Sequence, residues 1–282
     1  MDGDGAMQVE KAYAMIDEGQ VHLRRRAGTG GGPPLVMLHS SPSSSRSLVG
    51  LMEAFGAGRE LVAFDTPANG QSCAPRPPEP AMTDFADMLA RASHALGMER
   101  LAVYGSHTGA HVAIEWALAE PGRVAGLVLD GVALMDEPTR AEFLARYAPR
   151  KAPDECGSQF HWAWHFIRDQ MIFFPHFEKD AAHLRAGGDL DPRTLHDLTL
   201  EVLSNLEVYH LPYDAVFRHE VRDALARLDL PVLVLSDGSG ALDPASEEVA
   251  ALVKGARLVR GCEGARAKAA AIEAFLEDID AG

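Results

Sequence analysis

The segment LAVYGSHTGAHVAIEWALAE, residues 101–120, puts an imidazole where a chain can do chemistry. An apolar run from Leu101 to Tyr104 enters Gly105-Ser106-His107-Thr108-Gly109 and leaves as a helix-like run, so His107 stands at the tip of a glycine-flanked turn from strand to helix. The positive end of the helix macrodipole lies at that tip, disfavours an imidazolium and keeps the ring neutral near pH 7. A neutral imidazole serves as general base or as nucleophile. The bland alternative is a histidine that merely fills a vacated site. Two carboxylates are candidates to orient His107: Asp130, which ends the run GLVLDG, and Asp237, in the loop after LPVLVLS.

A second cluster lies in GSQFHWAWHFIRDQMIFFPHF, residues 157–177. On a helix His161, His165 and Asp169 fall at i, i+4 and i+8, with Trp164 and Arg168 on an adjacent stripe. The histidine pair lacks an H-E-x-x-H pattern or a clear third ligand, so no metal is assigned and no cofactor is expected. Recognition suits these residues better. Trp164, His165 and Arg168 are expected to contact a small aromatic or carboxylate-bearing molecule, Arg168 by a bidentate bond. Packing of the aromatic residues against the core is the competing reading.

The elements that must position these groups follow from hydrophobic patterning. Alternation in YAMIDEGQVHLRRR, broken at Glu18-Gly19, predicts an edge hairpin. Short apolar runs in PPLVMLHSSP and RELVAFDTPANGQS predict buried strands, separated by the helical SRSLVGLMEAFGAG. MTDFADMLARASHALGM predicts an amphipathic helix with Thr83 as its N-cap. Strand and helix keep alternating through RVAGLVLDGVAL, which argues for an α/β fold with a mostly parallel sheet covered on both faces. Residues 135–225 break this pattern, being aromatic, His-rich and helical, and are expected to form an inserted cap on a core of residues 1–134 and 226–282. LDLPVLVLSDGSG, PASEEVAALVK, GARLVRGCEG and RAKAAAIEAFLEDI then restore strand and helix signals to the end of the chain.

Composition narrows the function classes. A net charge of −15 opposes binding to a phosphate backbone or an anionic membrane, so neither nucleic acid nor membrane is expected as partner. Cys73, Cys156 and Cys262 are widely spaced, without the pairs of a disulfide framework, which suits a reducing cytoplasm. No basic or apolar leader and no run of membrane-spanning length stands out in the sequence. A homodimer stays open as an assembly.

Together these motifs resemble the α/β-hydrolase superfamily, closest in layout to capped members such as meta-cleavage product hydrolases and haloalkane dehalogenases. LVMLHSSP stands where that family has a strand followed by His-Gly, FDTPANGQS where it has Asp-x-x-Gly-x-Gly-x-Ser, and YGSHTGAHVAIEWA where it has the nucleophile elbow and its helix. The resemblance covers nearly the whole chain and implies the α/β-hydrolase fold, with helices on both sheet faces. It also implies an oxyanion hole from the backbone amides of Ser41 and Thr108, with each donor able to supply about 3–4 kcal/mol. Ser40 replaces the family glycine, and Ser40 and Ser106 are candidate polar contacts to substrate, although Ser106 also suits a local hydrogen bond. Some relatives place their acid near Asp130.

The chain departs from the family in its catalytic residues. His107 occupies the nucleophile position, and VRGCEGARAKAA, where the catalytic histidine belongs, contains none, since the last histidine is His219. The Ser-His-Asp machine cannot be assembled from these residues. The resulting expectation is an enzyme with an atypical site that hydrolyses an ester, lactone or carbon–carbon bond of a small molecule. Non-hydrolytic base chemistry (lyase, isomerase, decarboxylase or cofactor-free oxygenase) and non-catalytic ligand binding are the alternatives.

Overall fold

In the computed structural model, whose described residues are 8–185, 190–238 and 240–281, the strands form one eight-stranded sheet. Residues 1–7 and 186–189, assigned to core and cap from sequence, lie outside the described residues. The expected hairpin is present as β1 (Glu10–Ile16) and β2 (Gly19–Arg26), paired antiparallel with Ile16 opposite Gly19. Next come β3 (Leu35–Leu38), α1 (Val49–Ala54), β4 (Leu61–Phe64), α2 (Met82–Ala95), β5 (Leu101–Ser106), α3 (Thr108–Ala119) and β6 (Val124–Asp130). Among the described residues, five α-helices then precede the next strand: α4 (Glu137–Arg146), α5 (Ser158–Ile172), α6 (Pro192–Ser204), α7 (Leu211–Arg218) and α8 (Val221–Ala226). The chain closes with β7 (Val232–Ser236), α9 (Ser246–Leu252), β8 (Arg257–Arg260) and α10 (Gly264–Ala281).

The strand order is β1-β2-β4-β3-β5-β6-β7-β8, parallel from β4 onward. Every residue of β3, β4 and β7 is buried, as a strand covered on both faces requires. Side-chain alternation divides the core in two. Val36, Leu38, Val103, Leu127 and Leu129 pack with α2 and α3 on one face. Leu35, Met37, Tyr104, Val128 and Leu235 pack with α1 and α10 on the other. Thr83 is not the N-cap of α2. The helix begins at Met82, and Asp84 caps it by accepting the Ala81 N–H at 2.7 Å.

The turn after β5 is sterically tight. A Cβ on Gly105 would lie 2.4 Å from the Gly109 carbonyl oxygen, and one on Gly109 would lie 2.4 Å from that of Leu38. These are backbone atoms of α3 and β3, so a side chain at either position would have to push helix and sheet apart. Gly109→Ala is therefore expected to lower unfolding stability by about 3 kcal/mol, the upper end of overpacking penalties. Gly122→Ala, where a Cβ meets nothing within 4 Å, is the control in urea titrations. A loss at Gly109 no larger than at Gly122 would contradict the close approach.

Candidate active site

The two glycines draw α3 so close to the sheet that the chain must turn within one residue. His107 makes that turn, with φ 48° and ψ −111°, a left-handed conformation that is costly for a residue with a Cβ. Its backbone N–H donates to the Asp130 carbonyl at 2.9 Å, and its carbonyl accepts the Ala110 N–H at 2.9 Å, which holds the strained residue from both sides. The ring lies over Gly131, where a Cβ would stand 3.2 Å from His107 Nε2. Gly131 has φ 79° and leaves the imidazole its space.

His107 reaches a cavity of about 590 Å³ between the carboxyl ends of the strands and the helices that follow β6. Its walls are mostly apolar, with Phe143, Tyr147, Phe174 and Phe217 among them. Although its surface is open to this cavity, His107 is surrounded by protein, and removal from bulk water pushes its pKa below the ordinary imidazole value. The Asp130 carboxylate opposes that shift, whereas the Lys268 and Arg185 cations reinforce it.

Ser40, Ser41 and Thr108 line the same cavity. The fully buried His39 holds their loop: Nε2 accepts the Thr66 N–H at 3.0 Å, which leaves Nδ1–H to donate to the Ser40 carbonyl at 2.9 Å. The Ser41 amide donates to Thr108 Oγ1 at 3.3 Å, so a substrate oxygen would have to share or replace that contact. Thr108 is the first residue of α3, where backbone N–H groups have no intrahelical acceptor.

Other residues singled out from sequence lie elsewhere. Ser106, Asp130 and Asp237 line a second cleft beside α10, together with Tyr104 and Lys268, and Ser40 borders both spaces. Asp130 does not accept from the His107 ring as an orienting acid would. Its Oδ2 instead accepts from Tyr104 Oη and Lys268 Nζ, each at 2.6 Å, and Ser106 Oγ lies 3.1 Å from His107 Nδ1. Asp237 Oδ1 accepts the Gly240 N–H at 2.8 Å.

Trp164, His165 and Arg168 do not line the cavity. Trp164 and His165 are exposed, and Arg168 binds Asp169 through Nε at 3.0 Å and Nη2 at 2.7 Å. Asp169 is buried and also pairs with Lys179, so the carboxylate expected beside His161 and His165 turns inward instead. The face of α5 toward the cavity carries Ile167, Gln170 and Met171. Arg185, which donates to the Gln170 carbonyl at 2.9 Å, is the one charged side chain among the described lining residues.

His111, which from sequence reads as a helix residue packed against the sheet, borders the cavity and heads a hydrogen-bond chain that no sequence pattern groups. Ala133 N–H donates to His111 Nε2 at 3.3 Å, so His111 Nδ1–H donates to His219 Nδ1 at 2.9 Å, and His219 Nε2–H donates to Glu115 Oε1 at 2.7 Å. Burial first, then the neighbouring histidines, pushes the pKa of His111 well below the ordinary value.

The fold agrees with comparison to known proteins. A family profile described as alpha/beta hydrolase fold matches residues 33–171, and the chain is an α/β-hydrolase-fold protein. A hydrolase from Pseudomonas aeruginosa PA01 superposes with a TM-score of 0.69 at 20% identity, covering 95% of this chain and 98% of that one. Among sequence relatives, the chain is similar to a proline iminopeptidase of Heyndrickxia coagulans, with 29% identity over 44% of this chain and 43% of that one. It is also similar to 2-hydroxy-6-oxononadienedioate/2-hydroxy-6-oxononatrienedioate hydrolase 2 of Pseudomonas putida, with 33% identity over 42% of this chain and 44% of that one. The chain thus spans less than half the length of these curated relatives.

The depressed pKa of His111 has a consequence for stability. Below about pH 6.5 the unfolded chain takes up a proton that the folded His111 refuses, so stability falls as pH falls through that value. Wild type should lose stability between pH 7 and pH 5, and His111→Gln should flatten the slope by up to about 1.4 kcal/mol per pH unit. Equal slopes in urea titrations at several pH values would contradict a neutral buried His111.

Proposed function

We propose that this chain is an enzyme that hydrolyses an ester, lactone or carbon–carbon bond of a small molecule with an apolar, aromatic-sized body and an anionic group. His107 is the working group, as base toward water or as nucleophile, and the Ser41 and Thr108 amides hold the developing oxyanion. The observation that carries this reading is the strained His107 at the floor of an apolar cavity, since holding an imidazole at φ 48° has a cost that a merely structural turn would avoid. The helices between β6 and β7 act as the cap that encloses the substrate. Arg185 supports an anionic ligand, because it is the cation among otherwise uncharged described walls. The name of the P. putida relative, a hydrolase of dioates, supports the same class.

A second reading has one observation behind it. Beyond His107 and His111, the described lining residues supply no further imidazole and no carboxylate, and His111 already has both ring nitrogens engaged. One base and one oxyanion site suffice for abstraction of a proton and stabilisation of an enolate, with no second base to activate water.

Turnover of activated esters and lactones, with and without a carboxylate, separates these readings. Wild type should exceed free imidazole at equal concentration, His107→Ala should fall to background, and Arg185→Gln should raise KM about tenfold for carboxylate-bearing substrates alone. Turnover retained in His107→Ala would overturn the role of His107. Inactivity of wild type on the whole panel, with binding of the same compounds, would favour proton abstraction or ligand binding.

A further inference from the structure

α3 carries His111 and Glu115 at i and i+4, so both side chains leave one face of the helix. Two other stretches of chain meet that face. Ala133 lies three residues beyond the end of β6, before α4 begins, and His219 follows directly on α7. The helices α4 to α7 all lie between these two points, so bonds made here join both ends of that stretch to α3. His111, Ala133, Val216 and Phe217 line the main cavity, and the last three line a small neighbouring crevice together with His219. The two imidazoles meet edge to face, with centroids 5.2 Å apart.

The ends of this row of bonds fix its direction. A backbone N–H can only donate, so His111 Nε2 accepts from Ala133 at 3.3 Å and the ring keeps its proton on Nδ1. A carboxylate can only accept, so His219 Nε2–H donates to Glu115 Oε1 at 2.7 Å. Between these ends the two Nδ1 atoms, 2.9 Å apart, share the single proton that His111 supplies. Two protons on four ring nitrogens thus satisfy all three bonds. A third proton has no place among them. Burial disfavours charge on His111, so that proton belongs on His219, beside the Glu115 carboxylate. His219 Nδ1 then donates, His111 must accept at Nδ1 and carry its own proton on Nε2, and that proton faces the Ala133 N–H.

We propose that His111, His219 and Glu115 form a proton-sensitive latch: with two protons on its rings it ties both ends of the α4–α7 stretch to α3, and a third proton releases the Ala133 end. The released bond lies in the wall of the main cavity, so the latch couples the shape of that wall to pH. The charged and titratable groups around the pair, among the described residues, come from four elements. Glu115 and His107 belong to α3, Glu220 and Arg222 to the junction of α7 with α8, and Arg140, which binds Glu220, to α4. Arg185 stands in the cavity wall that His111 borders. The latch requires nothing of the role proposed for His107.

Nitrogen NMR of protein labelled at histidine, with signals identified by their loss in His111→Gln and His219→Gln, reads both rings, and amide hydrogen exchange reads the Ala133 bond. At pH 8 wild type should show His111 protonated at Nδ1 and His219 at Nε2. On acidification both rings should change at one shared midpoint, His219 gaining a proton and His111 moving its own to Nε2, while the protection factor of Ala133 falls about tenfold. Glu115→Gln still accepts but carries no charge, so it should keep both tautomers at pH 8 and lower the midpoint by about one pH unit. His219→Gln accepts and donates like the neutral ring yet takes up no proton, so Ala133 should stay protected below the wild-type midpoint. His219→Leu, of similar bulk without polar atoms, should lower that protection already at pH 8, which a role confined to packing would not do. His111 protonated at Nε2 in wild type at pH 8, separate midpoints for the two rings, Ala133 protection that ignores the midpoint, or equal protection in His219→Leu and His219→Gln would overturn the proposal. If His219→Leu does not fold, the tautomers and titrations of wild type and Glu115→Gln decide it.

Discussion

Between the end of β5 and the start of α3 the backbone has a single residue in which to turn, because Gly105 and Gly109 bring the helix into contact with backbone of the sheet. That residue must adopt a positive φ, and its side chain is thrown clear of strand and helix into the space above the sheet. Side chains with little tolerance for such a conformation survive there only when surrounding bonds hold them. Here the Asp130 carbonyl, the Ala110 amide and the open surface of Gly131 do so. The chemistry of the site follows from which side chain is presented. An imidazole brings its own basic nitrogen, whereas a hydroxyl at the same point would need a separate base to activate it.

The elbow also separates two environments. On one side lies a mostly apolar cavity with a single cation among its described walls. On the other lies a polar cleft built around Asp130, Tyr104, Ser106 and Lys268. His107 stands between them, with Nδ1 toward Ser106 and the rest of the ring at the cavity. Burial, the Lys268 and Arg185 cations and the helix N-terminus all favour the neutral ring, and only carboxylate charge opposes them. An imidazole in this setting is available as a base at pH values where an ordinary histidine is partly protonated.

The fold was legible because its signals are local. Four-residue apolar runs such as LVML and LVAF read as buried strands, and the glycine pair in GSHTG marked the tight crossing. His107 stood out because a histidine between those glycines has no packing reason to be there. Ser40, Ser41 and Thr108 fall on the cavity for the same reason, since their positions are fixed by strand ends. The partners of the site were hidden because they come together only in three dimensions. Lys268 sits in RAKAAA, which reads as an ordinary solvated helix face, and Tyr104 reads as core until its hydroxyl is seen to meet Asp130. Helical period correctly grouped Trp164 with Arg168 but could not say which face of α5 turns inward. The buried Asp169 holds Arg168 beside it, and Ile167, Gln170 and Met171 take the cavity side.

Whether the elbow imidazole is free to react is best decided by its carbethoxylation with diethyl pyrocarbonate as a function of pH, followed residue by residue by mass spectrometry. His107 should be modified at a rate that rises with pH through a midpoint below about 6.5, and a small apolar carboxylate filling the cavity should protect it. The exposed His161 and His165 serve as references in the same spectra and should gain no such protection. A His107 that stays unmodified while His161 and His165 react, or one whose reactivity ignores a filled cavity, would contradict an accessible, neutral imidazole at the centre of the site.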